Sequence, residues 1–326
     1  MNHSHYQKPY KTFAEQITLI EDRGIAITDR NEAISHLNRL GYYRLSAYWY
    51  PFRRRAPDHR EGIDKPDSSV VEGVVFTDIV AICDFDSSLR NALLEAISAV
   101  EVAVRVDVAY EMGKYGPLGY LDKENLGSGC NNPSALDPSV TEFDQFRQKQ
   151  RDSLQNSKEA FAKHFREIYG AECPIWAAIE LWDFGTLSRF YQLMKPTNRH
   201  AVAAHYGFAT ARKLANWLEC INDLRNFCAH HSRLNRRHFP KGPAFPWSAE
   251  FQQFAHLKPL MDQARHRLYP LMCMLVYMLD RVAPGHCWRE RIIGLMDAME
   301  GINGLALSDY GVPENWCTEA LWIEIV

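Results

Sequence analysis

Residues 77–112 read TDIVAICDFDSSLRNALLEAISAVEVAVRVDVAYEM, and the spacing of their apolar side chains decides the fold. Ile79, Ile82, Phe85, Leu89, Leu93, Ile97, Val100, Val104 and Val108 recur every three or four residues. That period lines one face of an α-helix and gives no strand alternation. Asp78 stands in the first turn, where a carboxylate opposes the positive end of the helix dipole. A buried stripe this long must be covered, and the chain around it supplies more helices to cover it.

Upstream, Lys11 to Arg23 reads as a short helix carrying Phe13, Ile17 and Ile20, and Gly24 ends it. Thr28-Asp29 caps a second helix running to Leu40, which Gly41 stops. A dense aromatic patch, Tyr42 to Phe52, leads into Arg53-Arg54-Arg55, and Ala56 to Gly73 is a polar, Pro-containing loop with room for a short hairpin. Downstream, Gly113 to Val140 is broken by Gly127-Ser128-Gly129 and Asn131-Asn132-Pro133 and reads as an exposed insertion. Helices resume at about Glu142–Tyr169, Ile175–Met194, Ala201–Tyr206 and Ala209–Asn235, with Trp176, Trp182 and Phe184 as plain helical core. After a Pro-rich piece at 239–247 come helices at Leu257–Val282 and His286–Met299 and a tail helix near Asn315. There is no internal repeat, no run of alternating strands and no G-x-x-x-x-G-K phosphate loop. The expected fold is an all-α bundle with loop insertions and extra C-terminal helices. Residues 1–250 form its main helical domain, with an N-terminal helical and aromatic region, and 251–326 a C-terminal extension on the same core.

Composition narrows the function classes. With 326 residues, 46% apolar and 24% charged, the chain can bury a core without disulfide or metal staples. Lys plus Arg number 37 against 40 Asp plus Glu, so the net charge of -3 excludes a uniformly basic nucleic-acid coat but not a local basic site. The longest apolar run, Leu271 to Leu279, falls far short of the roughly 20 residues that span a bilayer, and Arg267 and Asp280 flank it. No membrane partner is expected. Residues 1–13 lack a secretory apolar run, and the eight cysteines include no C-x-x-C pair. Reduced thiols in a cytoplasmic protein are the expectation, with no zinc, other metal or cofactor.

The segment 219–241 departs from this average. From Arg225 to Lys241 it carries Arg225, Arg233, Arg236, Arg237 and Lys241, interleaved with His230, His231 and His238, and contains no acid. Such a focus concentrates a phosphodiester polyanion. As a continuous helix it sets Arg225 and His230 about 140° apart, with Asn226, His230 and Arg233 in one row. Cleaving RNA requires deprotonating a 2′-hydroxyl, stabilising the charge on the phosphorane and protonating the 5′-oxygen. Imidazole moves protons near neutral pH, and guanidinium donates to phosphoryl oxygens as a fixed fork. The bland reading is a basic helix end that complements its own dipole.

Leu224 to Arg236 resembles the R-x4-H motif of the HEPN superfamily in the form found in Abi-like (abortive infection) proteins. The same family is echoed by Gln16 to Ile20 with Arg23-Gly24-Ile25, by Gly41-Tyr42-Tyr43-Arg44-Leu45-Ser46-Ala47-Tyr48, by Phe85 to Arg90, and by Glu101 and Arg105. The resemblance runs in consistent order over about residues 11 to 250. It implies a HEPN-like helical bundle acting as a homodimer, with two motif helices facing each other across a composite site. The implied activity is metal-independent endoribonuclease cleavage in phage defence, as an abortive-infection or toxin-type effector. Carried over, Arg225 stabilises the phosphorane, His230 transfers the proton and Asn226 orients or binds phosphate. RNA and a second copy are the implied partners, with an unidentified antitoxin or regulator as a further one.

Around that centre, Arg233, Arg236, Arg237 and Lys241 are expected to hold RNA. Arg44 and Arg53 are expected along its path. The aromatic block reads either as a base-stacking platform or, in the favoured reading, as a core wedge. Glu101 and Arg105, four apart, read as an intrahelical ion pair or as a network supporting the motif Arg or His. His231 reads as a spare acid or a packing residue. Outside the enzyme reading stand a non-catalytic RNA binder and a helical protein that assembles with a partner.

Overall fold

A computed structural model describes residues 9–54, 69–170 and 172–323, so Arg55 and most of the 56–73 loop lie outside it. The described chain is all-α, and among the described residues only isolated β-bridges occur. In chain order the helices are α1 (Phe13–Glu21), α2 (Arg30–Leu40), α3 (Tyr42–Trp49), α4 (Phe76–Gly113), α5 (Glu142–Asn156), α6 (Ala160–Tyr169) and α7 (Ile175–Ala178). Then follow α8 (Phe184–Leu193), α9 (Pro196–His205), α10 (Ala211–Ala229), α11 (Met261–Ala264), α12 (Leu268–Val282) and α13 (Trp288–Met299).

The N-terminal helices start and stop where local chemistry dictates. Thr12 and Glu15 close a capping box on α1, and the Asp29 carboxylate accepts the backbone N–H groups of Asn31 and Glu32 at the head of α2. Gly41, at φ 79°, ends α2 in a conformation costly for other residues and turns the chain directly into α3. The aromatic patch is therefore helix. Its Tyr48 and Trp49 are buried while Tyr43 points to solvent, which bears out the core-wedge reading for the former pair.

Helix α4 is the axis. Its predicted stripe is buried from Ile79 to Val108, and α3, α7, α9, α10, α12 and α13 all pack on it. One core cluster joins its C-terminal part to α10 and α12, and a smaller one joins its first turns to α1, α2 and α3. The apolar run at 271–279 is the buried face of α12, and no described helix is long and apolar enough to cross a membrane.

Five expectations need correction. The segment 257–282 breaks at residues 265–267, so that α12 begins only at Leu268. The segment 142–169 breaks at residues 157–159, where Ser157 and Glu159 are extended, into α5 and α6. The segment 175–194 also breaks, because the Asp183 carboxylate accepts from the backbone N–H of Thr186 and starts a fresh helix at Phe184. Residues 113–140 are not a bare insertion: Tyr120, Leu126 and Cys130 are buried, and the Tyr120 hydroxyl donates to the Cys173 carbonyl at 2.8 Å. Trp176 is not core either, being 56% exposed, while Trp182 and Phe184 are buried as expected.

Candidate functional site

Helix α10 ends at Ala229, earlier than the period alone implies, and the manner of its ending shapes the site. His231 takes φ 54°, its N–H donates to the Cys228 carbonyl at 3.0 Å, and the Ser232 N–H donates to the Phe227 carbonyl at 2.9 Å. This pair of bonds is a Schellman stop, with histidine in the left-handed position usually held by glycine. His231 is exposed and so is not core packing. It turns the chain. The expected row of Asn226, His230 and Arg233 fails for the same reason, since Arg233 lies beyond the stop and off the helix.

Residues 231–236 are then tied down by distant elements. Arg44 of α3 donates to the His231 carbonyl at 2.8 Å, Arg90 of α4 donates to the Ser232 carbonyl at 3.2 Å, and Arg233 donates back to the Ala47 carbonyl. At the centre is Asp86, fully buried on α4. Its carboxylate accepts from Tyr48 Oη (2.9 Å), Arg90 Nη1 (2.8 Å), the N–H groups of Leu234 and Asn235 (both 2.9 Å) and Tyr310 Oη (3.2 Å). Burial first, and the Asp86 charge second, push the Tyr48 and Tyr310 phenols up, so both stay protonated donors. Arg236, also in the left-handed region, is fixed by Asp309 through Nε at 2.6 Å.

The motif residues differ in their surroundings. Arg225 and Asn226 line a cavity of about 310 Å³ between α5, α8 and α10, and Arg225 Nη1 reaches Asn226 Oδ1 at 3.4 Å. His230 caps α10, is exposed, and its ring has no hydrogen-bond or ionic partner among the described residues. It does not line that cavity. Glu101 and Arg105 form a half-buried ion pair, and Arg105 also donates to the Trp182 carbonyl at 2.9 Å. Burial raises the Glu101 carboxyl above its usual range, against the opposing pull of Arg105 and then Arg225, so the pair sits within electrostatic reach of the motif arginine.

The basic segment is not the free cationic stripe its sequence describes. Arg236 is paired with Asp309, Lys241 with Glu219 at 2.5 Å, and the Arg237 guanidinium lies 4.3 Å from the Phe227 ring centroid. Burial pulls the Arg237 pKa down. Arg233 donates to the Ala47 carbonyl and Arg44 to the His231 carbonyl, which orients both without balancing their charge, and Arg53 stacks on Tyr50 at 4.9 Å. Acids from elsewhere in the chain reach two of these cations, Arg236 and Lys241.

Sequence reasoning passed over three groups. Asp86 with Arg90 was legible as an ion pair at i,i+4 set into an apolar face. Arg189 and Asn222 carry no signal in one dimension; they join Arg225 in the cavity through the α8–α10 packing. Among the described residues no group of three or more His, Cys, Asp or Glu is arranged to hold a metal ion.

A family model of Abi-like proteins matches residues 35–235, which spans α3, α4 and the R-x4-H motif from Arg225 to His230. No curated protein and no solved structure matches the chain. The match covers both halves of the lock, the α3–α4 donors and acceptors and the turn they hold, and the chain belongs to the Abi-like protein family.

Proposed function

We propose that this chain is a metal-independent endoribonuclease of HEPN type that acts as an abortive-infection effector in phage defence. One observation carries the reading. Arg225 and Asn226 face a cavity on α10, while His230 stands exposed at the end of the same helix, without a partner among the described residues, on a turn pinned from three sides. An imidazole without an internal partner is free to exchange protons with a substrate hydroxyl, and the guanidinium supplies charge for a phosphorane.

His230 does not line the cavity that holds Arg225, which supports a composite site completed by a second copy. An exposed apolar row on α4, Val102, Val106 and Tyr110, adds to that support. It adjoins the Glu101–Arg105 pair, and Trp176 shares a cleft with Val106 and Tyr110. A surface of this kind is rarely left open in a protein that acts alone.

The internal pairing of Arg236, Arg237 and Lys241 favours one alternative, a protein that engages a partner and does not cut RNA. Incubating total RNA with the purified protein in EDTA, wild type beside His230→Ala, separates the two. Cyclic phosphate ends made only by the wild type uphold the ribonuclease. Intact RNA in both lanes transfers the role to partner binding.

A further inference from the structure

The cavity beside Arg225 contains more recognition chemistry than phosphorane stabilisation needs. We infer that it is a pocket for one unpaired nucleobase of the RNA strand, next to the phosphate that Arg225 engages; the inference rests on the ribonuclease reading above. Its apolar wall is made of Phe146, Phe184 and Leu193, all at least nine-tenths buried. Its rim is made of amides with unused capacity. The Asn222 side chain has no hydrogen-bond partner among the described residues, and Gln145 only accepts from Ser134, which leaves its Nε2 donor free. Asn226 receives one long contact from Arg225 and keeps its own amide donor.

The charges point to a base and not to a run of phosphates. Lys149, Arg189 and Arg225 face the cavity, but so do Glu142 and Asp183, and Lys149 is already held by Asp183 at 2.9 Å. Hydrogen bonds from Lys149 and Thr186 outweigh burial and keep the Asp183 carboxyl below its usual range, so it stays an acceptor. With three cations against two carboxylates the lining is only weakly positive, a poor seat for a run of phosphates. A neutral heterocycle with ring acceptors and an exocyclic amine is matched by it, since Asn and Gln amides read base edges as paired donor and acceptor. Arg189, exposed and without an ionic partner among the described residues, stands with Arg225 for the flanking phosphates. Gly185 keeps the amide open. A Cβ there would lie 3.4 Å from Asn222 Oδ1.

Titration calorimetry of the full chain with each of the four ribonucleoside 3′-monophosphates, and with ribose 5-phosphate as the baseless probe, tests the pocket. At least one nucleotide should bind about tenfold tighter than ribose phosphate, and Asn222→Ala should erase that difference. Gly185→Ala should weaken the same nucleotide about tenfold while favouring the helix it sits in, which guards against loss of fold. Equal binding of ribose phosphate, or base selectivity untouched by both variants, overturns the inference. Cut-site mapping keeps the two readings apart. RNA cleaved with the same base preference by wild type and Asn222→Ala sinks the pocket and spares the nuclease. Base-selective binding without any cleavage sinks the nuclease and upholds the pocket.

Discussion

Arg90 donates to the carbonyl of Ser232 at 3.2 Å, across 142 residues of chain. This bond ties the middle of the long helix to the turn that follows the motif histidine, and Asp86 sits one helical turn earlier to take the next two backbone N–H groups. Breaking the node should therefore cost far more than one hydrogen bond. Asp86→Ala strands four other donors and leaves the Arg90 charge buried without its counter-charge. Losing one partner of a buried pair costs about 3–5 kcal/mol. Urea denaturation should read a loss of that size, and a midpoint unchanged within error would show that the node does not hold the turn.

His231 offers a test of the helix stop. A left-handed residue with a Cβ costs roughly 1–2 kcal/mol, most for β-branched side chains. His231→Gly should melt at the wild-type temperature or above it, and His231→Val should melt several degrees lower. The reverse order would mean that the imidazole itself, and not the backbone angle, stabilises the turn.

The two motif side chains should respond differently from Asp86. His230 is exposed and unpaired among the described residues, so His230→Ala should shift stability by no more than about 0.5 kcal/mol. Single-turnover RNA cleavage should fall by roughly 10²–10⁴, the usual weight of a proton-transfer group. Arg225→Lys keeps the charge but loses the fork, and the rate should drop by about 10²–10³. A lysine variant cutting at the wild-type rate would reduce Arg225 to a simple point charge.

His256 makes stability pH-dependent. Its side chain is buried beside Tyr269 Oη at 3.0 Å, with Cys273 and Glu319 also facing it. Burial lowers its pKa below 6.5, and Glu319 opposes the shift only in part. The unfolded chain therefore binds the proton more readily than the folded one. The stability held by neutral His256 is complete above pH 6.5 and drains away as the pH falls toward the folded value, by at most about 1.4 kcal/mol per unit. Thermal melts of the wild type between pH 7 and 5 should fall more steeply than those of His256→Gln. Parallel slopes would assign the acid lability to other groups.

Much of this molecule was readable along the chain because the forces concerned are local. The period of Ile79 to Val108 made α4, Asp29 capped α2 and Gly41 ended it, all through contacts within about one helical turn. The R-x4-H string and the Tyr42–Tyr48 block were both visible, but not their relation. Only the fold brings Arg44 to His231, Arg90 to Ser232 and Asp86 to Leu234, over separations of 142 to 187 residues.

The sequence by itself determined an all-α chain with Arg225 and His230 five residues apart at the head of an acid-free basic stretch. Helix periodicity and residue chemistry are one-dimensional properties. Tertiary structure alone decided which cations remain free, because Asp309 and Glu219 reach Arg236 and Lys241 only when the bundle closes. It also decided where α10 stops, because the left-handed turn at His231 is held by donors from α3 and α4 that no local pattern announces. The acid-free stretch from Arg225 to Lys241 is real in sequence and partly neutralised in space, at Arg236 and Lys241, since charge is balanced by distance and not by position along the chain.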